Sequence, residues 1–200
     1  CLHQRYSGNA VSRSGTRNRI GPVFRNTDFH CNNGIFHMVN RRLNSFLFVC
    51  TGNICRSPLA ELAMRREAEK RELELDIDSA AIGHWHLGYP PDPRACKVAS
   101  QHGLDASALR SRLICEDDFY RFDHIIALDH SHLTHLQNMQ PSDSRARLSL
   151  MLDHIPGREG EDVDDPYYGP ESGFTITWND VEHACRALAD KELDTLPSRH

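Results

Sequence analysis

The sequence predicts an α/β fold that is built on a parallel β-sheet, and three observations support this prediction. Short apolar runs alternate with segments of helical periodicity, an order that is typical of strand–helix–strand units with right-handed crossovers. Two of the runs, residues 46–49 and 124–128, are almost entirely apolar, as parallel strands covered on both faces are. The loop that carries the main candidate site directly follows the first run, and folds of this class bind ligands at the carboxyl ends of their strands.

The first half of the chain accounts for two strands and two helices. Residues 46–49 (FLFV) form the first strand, and a helix follows over about 58–73. Residues 75–78 (LDID) alternate apolar and acidic side chains, as a second strand does. A proline-rich turn at 89–93 interrupts the pattern, and a second helix runs from there to about residue 102.

The second half continues the alternation. Residues 124–128 (HIIAL) form a third strand, a short helix with Leu133 and Leu136 follows, and residues 148–151 (LSLM) form a fourth strand. Residues 153–173 are dense in Gly, Pro and Asp and are predicted to be a loop. The last helix places four side chains on one face, at i, i+3, i+7 and i+10: Trp178, Val181, Cys185 and Leu188.

Composition limits the class of protein. Two hundred residues suit one domain with a tail. No apolar run approaches the ~18 residues that a membrane span needs, so we expect no membrane association. The seven cysteines are an odd number without regular spacing, which favours a reducing, cytoplasmic compartment over a disulfide framework.

Charge is divided unevenly along the chain. Residues 1–43 carry seven arginines and a single acid, Asp28, for a balance of +6, whereas the remainder carries −11. The acidic body argues against nucleic-acid binding, which needs a basic face. We expect residues 1–43 to be a disordered N-terminal extension without a catalytic role, of which 1–37, before Met38, are an extension or an upstream translated stretch. Residues 44–195 would then form the functional domain.

Residues 50–57 (CTGNICRS) carry the strongest functional signal. They lie between a buried strand and a helical segment, so the backbone N–H groups of a curled loop and the positive end of the helix converge on one point. Arg56 can add a planar, bidentate grip on an oxyanion. Cys50 would lie at the bottom of this loop, where the positive electrostatic potential favours the nucleophilic thiolate. The chemistry predicted is phosphoryl transfer to cysteine.

Simpler interpretations of the same residues exist. Cys50 and Cys55 could be half of a zinc site or a disulfide, but zinc sites usually have tighter spacing and a second pair, which the sequence lacks. A Gly-Asn turn after a strand is common. Ser57 could be an ordinary helix N-cap with Pro58 at the first helical position. The combination in a strand–loop–helix context favours the phosphate loop.

Six segments of the chain carry a combination of motifs in a fixed order: 49–61 (VCTGNICRSPLAE), 85–88 (WHLG), 91–95 (PDPRA), 102–103 (HG), 121–123 (RFD) and 164–169 (DDPYYG). In these motifs and their order the sequence resembles the low-molecular-weight protein tyrosine phosphatases. The resemblance covers about residues 44–191, and its specific parts are the phosphate loop and the Asp-Pro-Tyr-Tyr segment. It implies a three-layer, flavodoxin-like fold with a four-stranded parallel sheet.

The resemblance implies roles for the loop residues. Cys50 would be the nucleophile of phosphotyrosine hydrolysis, and Arg56 would bind the phosphate. Asn53 would shape the loop through left-handed dihedral angles. Ser57 would donate a hydrogen bond to the Cys50 thiolate, and Cys55 would form a protective disulfide with Cys50 under oxidation. The loop amides that would bind phosphate belong to Thr51, Gly52, Asn53, Ile54, Cys55, Arg56 and Ser57.

The resemblance also selects residues outside the loop. Many acids could serve as proton donor on the pattern alone, and Asp165, directly before Pro166, is the one implied as general acid and base. Asp164 is its closest rival. Tyr167 and Tyr168 would form an aromatic wall at the mouth of the site, with Trp85 opposite, which suits a phosphotyrosine ring. Core packing is the alternative role for Trp85.

Three other functions compete with phosphotyrosine hydrolysis, and they differ from it in protein class or in substrate. A thiol-based arsenate reductase on the same fold would need two further cysteines near each other, whereas Cys96 and Cys115 are 19 residues apart. A non-catalytic anion-binding module is disfavoured because Cys50 and Asp165 are both present. A protein-arginine phosphatase is the close rival, but in that relative a threonine replaces Ile54 and the aromatic pair is altered.

The remaining reactive side chains indicate no further chemistry. Cys96, Cys115 and Cys185 are expected to be small core residues. The thirteen histidines show no metal-binding spacing, and five of them are expected at the surface: His84, His86, His130, His132 and His135. No metal or organic cofactor is indicated. The expected partner is a phosphotyrosine-containing protein substrate, and the enzyme is expected to be a monomer or a weak homo-oligomer.

Overall fold

The computed structural model describes residues 45–193, so the expected N-terminal extension lies outside the described residues. Four strands form one sheet in the order β2-β1-β3-β4, and every neighbouring pair is parallel. This confirms the predicted α/β fold with a four-stranded parallel sheet. The strands are β1 (Ser45–Cys50), β2 (Asp76–Ala81), β3 (His124–Ala127) and β4 (Arg147–Leu150).

Helices cover both faces of the sheet and give the three-layer architecture. On one face, the buried side chains of α1, α2 and α5 pack together with Phe46 and Phe48 of β1. On the other, α3 and α4 pack over Leu47 and Val49 of the same strand. Because successive side chains of a strand point to opposite faces, this single apolar run supplies both cores. The helices are α1 (Arg56–Lys70), α2 (Pro93–Gln101), α3 (Asp118–Arg121), α4 (His130–Met139) and α5 (Ser172–Leu193).

The predicted apolar face of the last helix is confirmed. Trp178, Val181, Cys185 and Leu188 are all completely buried in α5, which packs along α1. Ile176, in the same helix, lies on the other side and is 54 % exposed. Among the described residues, no helix combines the length and apolar character that crossing a membrane requires.

Several predicted boundaries are wrong. The second strand extends to Ala81 because Ala80 and Ala81 continue the pairing with Val49 and Cys50. The predicted 153–173 loop overlaps a short 3-10 turn at Leu152–His154 and the start of α5. The four-residue helix α3 was not predicted, since its length is below what helical periodicity can reveal.

The start of α1 also differs from the prediction. The helix begins at Arg56, two residues before Pro58, and Cys55 is its N-cap residue without a side-chain capping bond. The N-cap alternative for Ser57 is therefore wrong, because Ser57 lies inside the first turn. The first turn of α1 thus begins within the loop that the sequence singles out.

The sheet order determines where the site lies. From β1 the chain first goes to β2 on one side and later returns to β3 on the other, so the order reverses at β1. The carboxyl ends of β1 and β3 flank this switch point, where open α/β sheets bind ligands. The 162–165 segment is held over the same edge because the Val163 N–H donates to the Leu128 carbonyl (2.9 Å).

Candidate active site

The loop between β1 and α1 curls with its carbonyl groups turned outward. Cys50 ends β1 and Arg56 begins α1, and Asn53 takes the left-handed conformation (φ 53°) that lets the chain turn so tightly. Three loop carbonyls accept from amides outside the loop: Ile82 to Cys50 (3.0 Å), Gly83 to Thr51 (2.9 Å) and Asp92 to Ile54 (2.8 Å). With these carbonyls turned outward, the amide groups of the loop converge on its inner side and form an anion-binding concavity.

The Cys50 sulfur receives two contacts at the floor of this loop. Its Sγ lies 3.0 Å from Ser57 Oγ and accepts from the Asn53 backbone N–H at 3.3 Å. The side chain of Asn53 is fixed in turn, because its Oδ1 accepts from the Arg112 N–H (3.1 Å) and its Nδ2 therefore faces inward. Cys50, Asn53 and Ser57 are all buried.

A chain of hydrogen bonds decides which way the Ser57 hydroxyl points. The buried Glu61 carboxylate accepts from Ser79 Oγ (2.6 Å), so the Ser79 oxygen is left to accept from Asn53 Nδ2 (2.8 Å). The second Nδ2 hydrogen is donated to Ser57 Oγ (2.9 Å). The Ser57 proton is consequently free to point at Cys50 Sγ, where it stabilises a thiolate.

Arg56 is a buried cation that reaches four partners. Its Nη1 donates to Asp129 Oδ2 (2.8 Å) and to the Val163 carbonyl (3.1 Å). Its Nη2 donates to Thr51 Oγ1 (3.3 Å) and to Asp165 Oδ2 (2.9 Å). One edge of the guanidinium is thus anchored to the protein, while the other faces Thr51 and Asp165 at the cleft. An oxyanion over the loop would bind this cleft-facing edge by replacing Asp165 on Nη2.

His132 is a site residue that the sequence prediction missed, and its expected surface position is wrong. It is completely buried, its Nε2 lies 2.9 Å from Thr51 Oγ1, and its backbone N–H donates to Asp129 Oδ1 (2.9 Å). Burial lowers the pKa of His132 to about 4, against the opposing effect of Asp129. The signal available in the sequence was Asp129, a residue type that favours helix N-caps, directly after the predicted strand at 124–128.

The structure separates Asp165 from its neighbour Asp164. The Asp165 carboxylate contacts Arg56 and accepts from the Tyr167 N–H (3.1 Å), which orients it over the loop. Asp164 is exposed and does not line the cleft. Pro166 is buried directly after Asp165, so the backbone at this point is rigid.

The predicted residues come together around one cleft of about 440 Å³. Asn53 and Ser57 are the exceptions, because they do not line the cleft and instead contact the Cys50 sulfur from within the protein. His86 lines the cleft beside Trp85, although the sequence prediction placed it at the surface. The lining residues are Cys50, Thr51, Gly52, Ile54, Cys55, Arg56, Trp85, His86, Asp165, Tyr167 and Tyr168.

Aromatic side chains form the mouth of this cleft. Tyr168 is 95 % and Trp85 is 65 % exposed, whereas Tyr167 is half-buried and meets Tyr168 edge-on at 4.9 Å. A Cβ at Gly83 would lie 1.8 Å from the Trp85 ring, so the ring covers the backbone of that residue. Exposed aromatic faces above a polar floor fit a flat aryl ligand that ends in an anion.

The cysteines differ in chemical environment. Burial, followed by the charge of Asp92, raises the pKa of the Cys55 thiol, so Cys55 stays protonated at neutral pH. Cys185 is buried as predicted, and Cys96 is partly buried. The prediction of a core position for Cys115 is wrong, because this residue is exposed just before α3. In the described part of the chain, no cluster of three or more His, Cys, Asp or Glu could hold a metal ion.

The chain is similar to known phosphatases. Residues 45–197 match the family model described as low molecular weight phosphotyrosine protein phosphatase. A curated relative with that name from Schizosaccharomyces pombe is 44 % identical over 131 residues, which are 64 % of this chain and 83 % of the relative.

Solved structures resemble the fold closely. A protein tyrosine phosphatase from Entamoeba histolytica is 35 % identical with a TM-score of 0.70, covering 74 % of this chain and 96 % of its own. A Drosophila arginine phosphatase is 31 % identical with a TM-score of 0.71, covering 76 % of this chain and 99 % of its own. The names of proteins with this fold therefore refer to two different amino acids, tyrosine and arginine.

Asn53 supplies both a left-handed backbone conformation and side-chain hydrogen bonds, and substitution can separate these two roles. Asn53→Gly keeps the left-handed backbone accessible and removes only the side-chain hydrogen bonds, whereas Asn53→Ala also strains the backbone. We expect Asn53→Ala to lower the free energy of unfolding by about 1 kcal/mol more than Asn53→Gly does. Both variants should lose phosphatase activity. Urea unfolding measures the difference, and equal stabilities would show that the φ angle is not a constraint.

Proposed function

The chain belongs to the low-molecular-weight phosphotyrosine protein phosphatase family, and we propose that it hydrolyses phosphotyrosine in proteins through a phosphocysteine intermediate on Cys50. As a protein tyrosine phosphatase it is a hydrolase of phosphate monoesters. The observation that carries the proposed mechanism is the Cys50 sulfur at the loop floor, 3.0 Å from Ser57 Oγ and beneath the converging amides. No other cysteine that lines the cleft is poised in this way, because Cys55 keeps its proton.

In the first step the Cys50 thiolate attacks phosphorus in line with the tyrosine oxygen. The loop amides and Arg56 bind the three equatorial oxygens, whose charge they stabilise in the transition state. Asp165 protonates the departing phenolate oxygen, which otherwise leaves as a poor anion. A sulfur–phosphorus bond forms as the oxygen–phosphorus bond breaks.

In the second step water replaces Cys50 at phosphorus. Asp165, now a carboxylate, accepts a proton from that water, and inorganic phosphate departs. The Ser57 hydroxyl supports this step because its proton points at the sulfur that must leave as a thiolate. The Asn53, Ser79 and Glu61 chain keeps the proton in that direction.

The aromatic mouth favours tyrosine over shorter phosphorylated side chains. Trp85, Tyr167 and Tyr168 rise around the cleft, so the phosphate must be carried on a side chain long enough to reach the floor. A phosphotyrosine ring reaches that depth and packs against flat walls on the way. Because the phosphoserine side chain is shorter, the peptide backbone would contact the rim of the cleft before the phosphate could reach Cys50.

We also propose that the site is redox-sensitive. An oxidant of the peroxide class converts the Cys50 thiolate to a sulfenic acid. The Cys55 sulfur then attacks the Cys50 sulfur, the Cys55 proton passes to the departing hydroxyl group, which leaves as water, and a disulfide forms. Both sulfurs are buried in the same loop, which supports this pairing over one with Cys96 in α2 or the exposed Cys115.

A comparison of phosphorylated peptides tests the substrate assignment. We expect kcat/KM for a phosphotyrosine peptide to exceed that for the matched phosphoserine and phosphoarginine peptides by at least about tenfold, the effect of roughly one strong contact. Initial rates of phosphate release on peptides that differ only in the modified residue provide the measurement. A higher value for phosphoarginine would replace the proposal with the arginine phosphatase alternative.

Asp165→Asn should impair the reaction unequally for different leaving groups. We expect a loss of ~100- to 10,000-fold for an aryl phosphate with a poor leaving group, because a general acid contributes about that much. The loss should shrink for an activated ester, whose leaving group needs no proton. Initial rates on the two esters provide the comparison.

Asp164→Asn is the matched control, since it removes the same charge one residue away. It should retain most of its activity on both esters. The assignment of the general acid fails if Asp164→Asn shows the leaving-group dependence and Asp165→Asn does not.

A further inference from the structure

His132 contacts two residues that also hold Arg56. Its Nε2 lies 2.9 Å from Thr51 Oγ1 and its Nδ1 lies 3.1 Å from Asp129 Oδ1. Thr51 Oγ1 in turn accepts from Arg56 Nη2 (3.3 Å), and Asp129 Oδ2 accepts from Arg56 Nη1 (2.8 Å). The four side chains therefore form a closed ring at the edge of the cleft, in which His132 reaches Arg56 only through the other two members.

The direction of each proton in this ring follows from chemistry. An unprotonated Nδ1 would direct its lone pair at the Asp129 carboxylate, so the tautomer with hydrogen on Nδ1 is favoured. The 3.1 Å contact does not meet the geometry of a hydrogen bond, so the buried Nδ1 has no hydrogen-bond partner among the described residues. Asp129 Oδ1 accepts from the His132 backbone N–H and the Ser131 hydroxyl. Nε2 is then an acceptor, and the Thr51 hydroxyl must donate to it.

The Thr51 oxygen is thereby turned toward Arg56. A hydroxyl that rotates freely has no fixed lone pair, whereas one whose proton is engaged by Nε2 presents its oxygen to Arg56 Nη2. The neutral state of the imidazole is part of this arrangement, and burial keeps the pKa of His132 at about 4. A protonated ring would have no acceptor for Thr51 and would place a second cation beside Arg56.

We propose that His132 is a positioning residue for the phosphate-binding arm of Arg56, acting through the Thr51 hydroxyl. The inference rests on the proposed role of Arg56 as the phosphate ligand. The simpler alternative is that His132 only fills space in the first turn of α4. The two differ in one respect, since only positioning requires an acceptor atom at the place of Nε2.

Two substitutions of His132 separate these roles, because the two replacement side chains differ in reach. His132→Gln keeps a polar atom near the Nε2 position, whereas His132→Asn keeps one only near Nδ1. We expect His132→Asn to weaken the Kd of inorganic phosphate about five- to tenfold, the loss of one net hydrogen bond. His132→Gln should stay within about twofold of the unmodified protein. Calorimetric titration with inorganic phosphate gives both values without requiring turnover.

Thr51→Val supplies a second measurement that does not require a substitution at the buried His132. Thr51 is exposed, and valine has nearly the same shape as threonine but lacks the hydroxyl. Thr51→Val should therefore weaken phosphate binding to the same extent as His132→Asn. In the Thr51→Val background, His132→Asn should cause almost no further loss, because both act on one contact. The unfolding midpoint of each variant shows whether the fold is intact.

Each outcome decides between the alternatives. Equal phosphate affinity for His132→Gln and His132→Asn, an unchanged affinity for Thr51→Val, or fully additive losses would overturn the positioning role. A failure of this inference can be distinguished from a failure of the proposed function, because phosphate binding and phosphotyrosine hydrolysis are measured separately. A protein that binds phosphate in the expected order of variants but does not hydrolyse phosphotyrosine keeps the inference and loses the proposed function.

Discussion

The burial of Arg56 is the constraint on which the site depends. A guanidinium that is almost completely removed from water is costly unless its donors are paired. Its partners come from three separate parts of the chain: Asp129 beyond β3, the 163–165 segment before α5, and Thr51 of its own loop. The cation therefore draws together the elements that form the cleft. The side chain that we propose as the phosphate ligand is thus the one that closes this edge of the sheet.

A second buried network controls the sulfur independently of the first. Glu61, Ser79 and Asn53 lie on the opposite side of the loop and act on Ser57 and Cys50. Burial raises the pKa of Glu61, while its bonds from Ser79 and Arg65 oppose that effect. One network thus orients the cation that we propose as the phosphate ligand, and the other orients the proton beside the proposed nucleophile. The cation and every member of the second network are buried, which favours a geometry that is set before substrate arrives.

The sequence was most informative where one local rule decides the structure. The strand of residues 46–49 and the α5 face of Trp178 and Leu188 follow from apolar periodicity alone, and the structure confirms them. The loop at 50–57 could be recognised because strand, curled loop and helix start are contiguous. These features need no knowledge of the rest of the chain.

Long-range contacts account for what the sequence did not predict. His132 looked like a surface residue because nothing local shows that α4 presses it against Thr51, 81 positions away. Ser57 was open to an N-cap role because the sequence does not show that its hydroxyl is used by Cys50 and Asn53. Cys115 looked like a core residue on composition, and only the packing around α3 leaves it exposed. Partners brought together by topology are invisible to periodicity.

We propose that the phosphoryl group is transferred to the Cys50 sulfur during the reaction. The decisive experiment is rapid denaturation of the enzyme during turnover of an activated aryl phosphate, followed by fragmentation of the peptide that contains Cys50 and Cys55. We expect one added phosphoryl group on the Cys50 sulfur and none on Cys55. An enzyme that turns over but carries no phosphoryl group on this peptide, or carries it on another residue, would rule out the phosphocysteine intermediate.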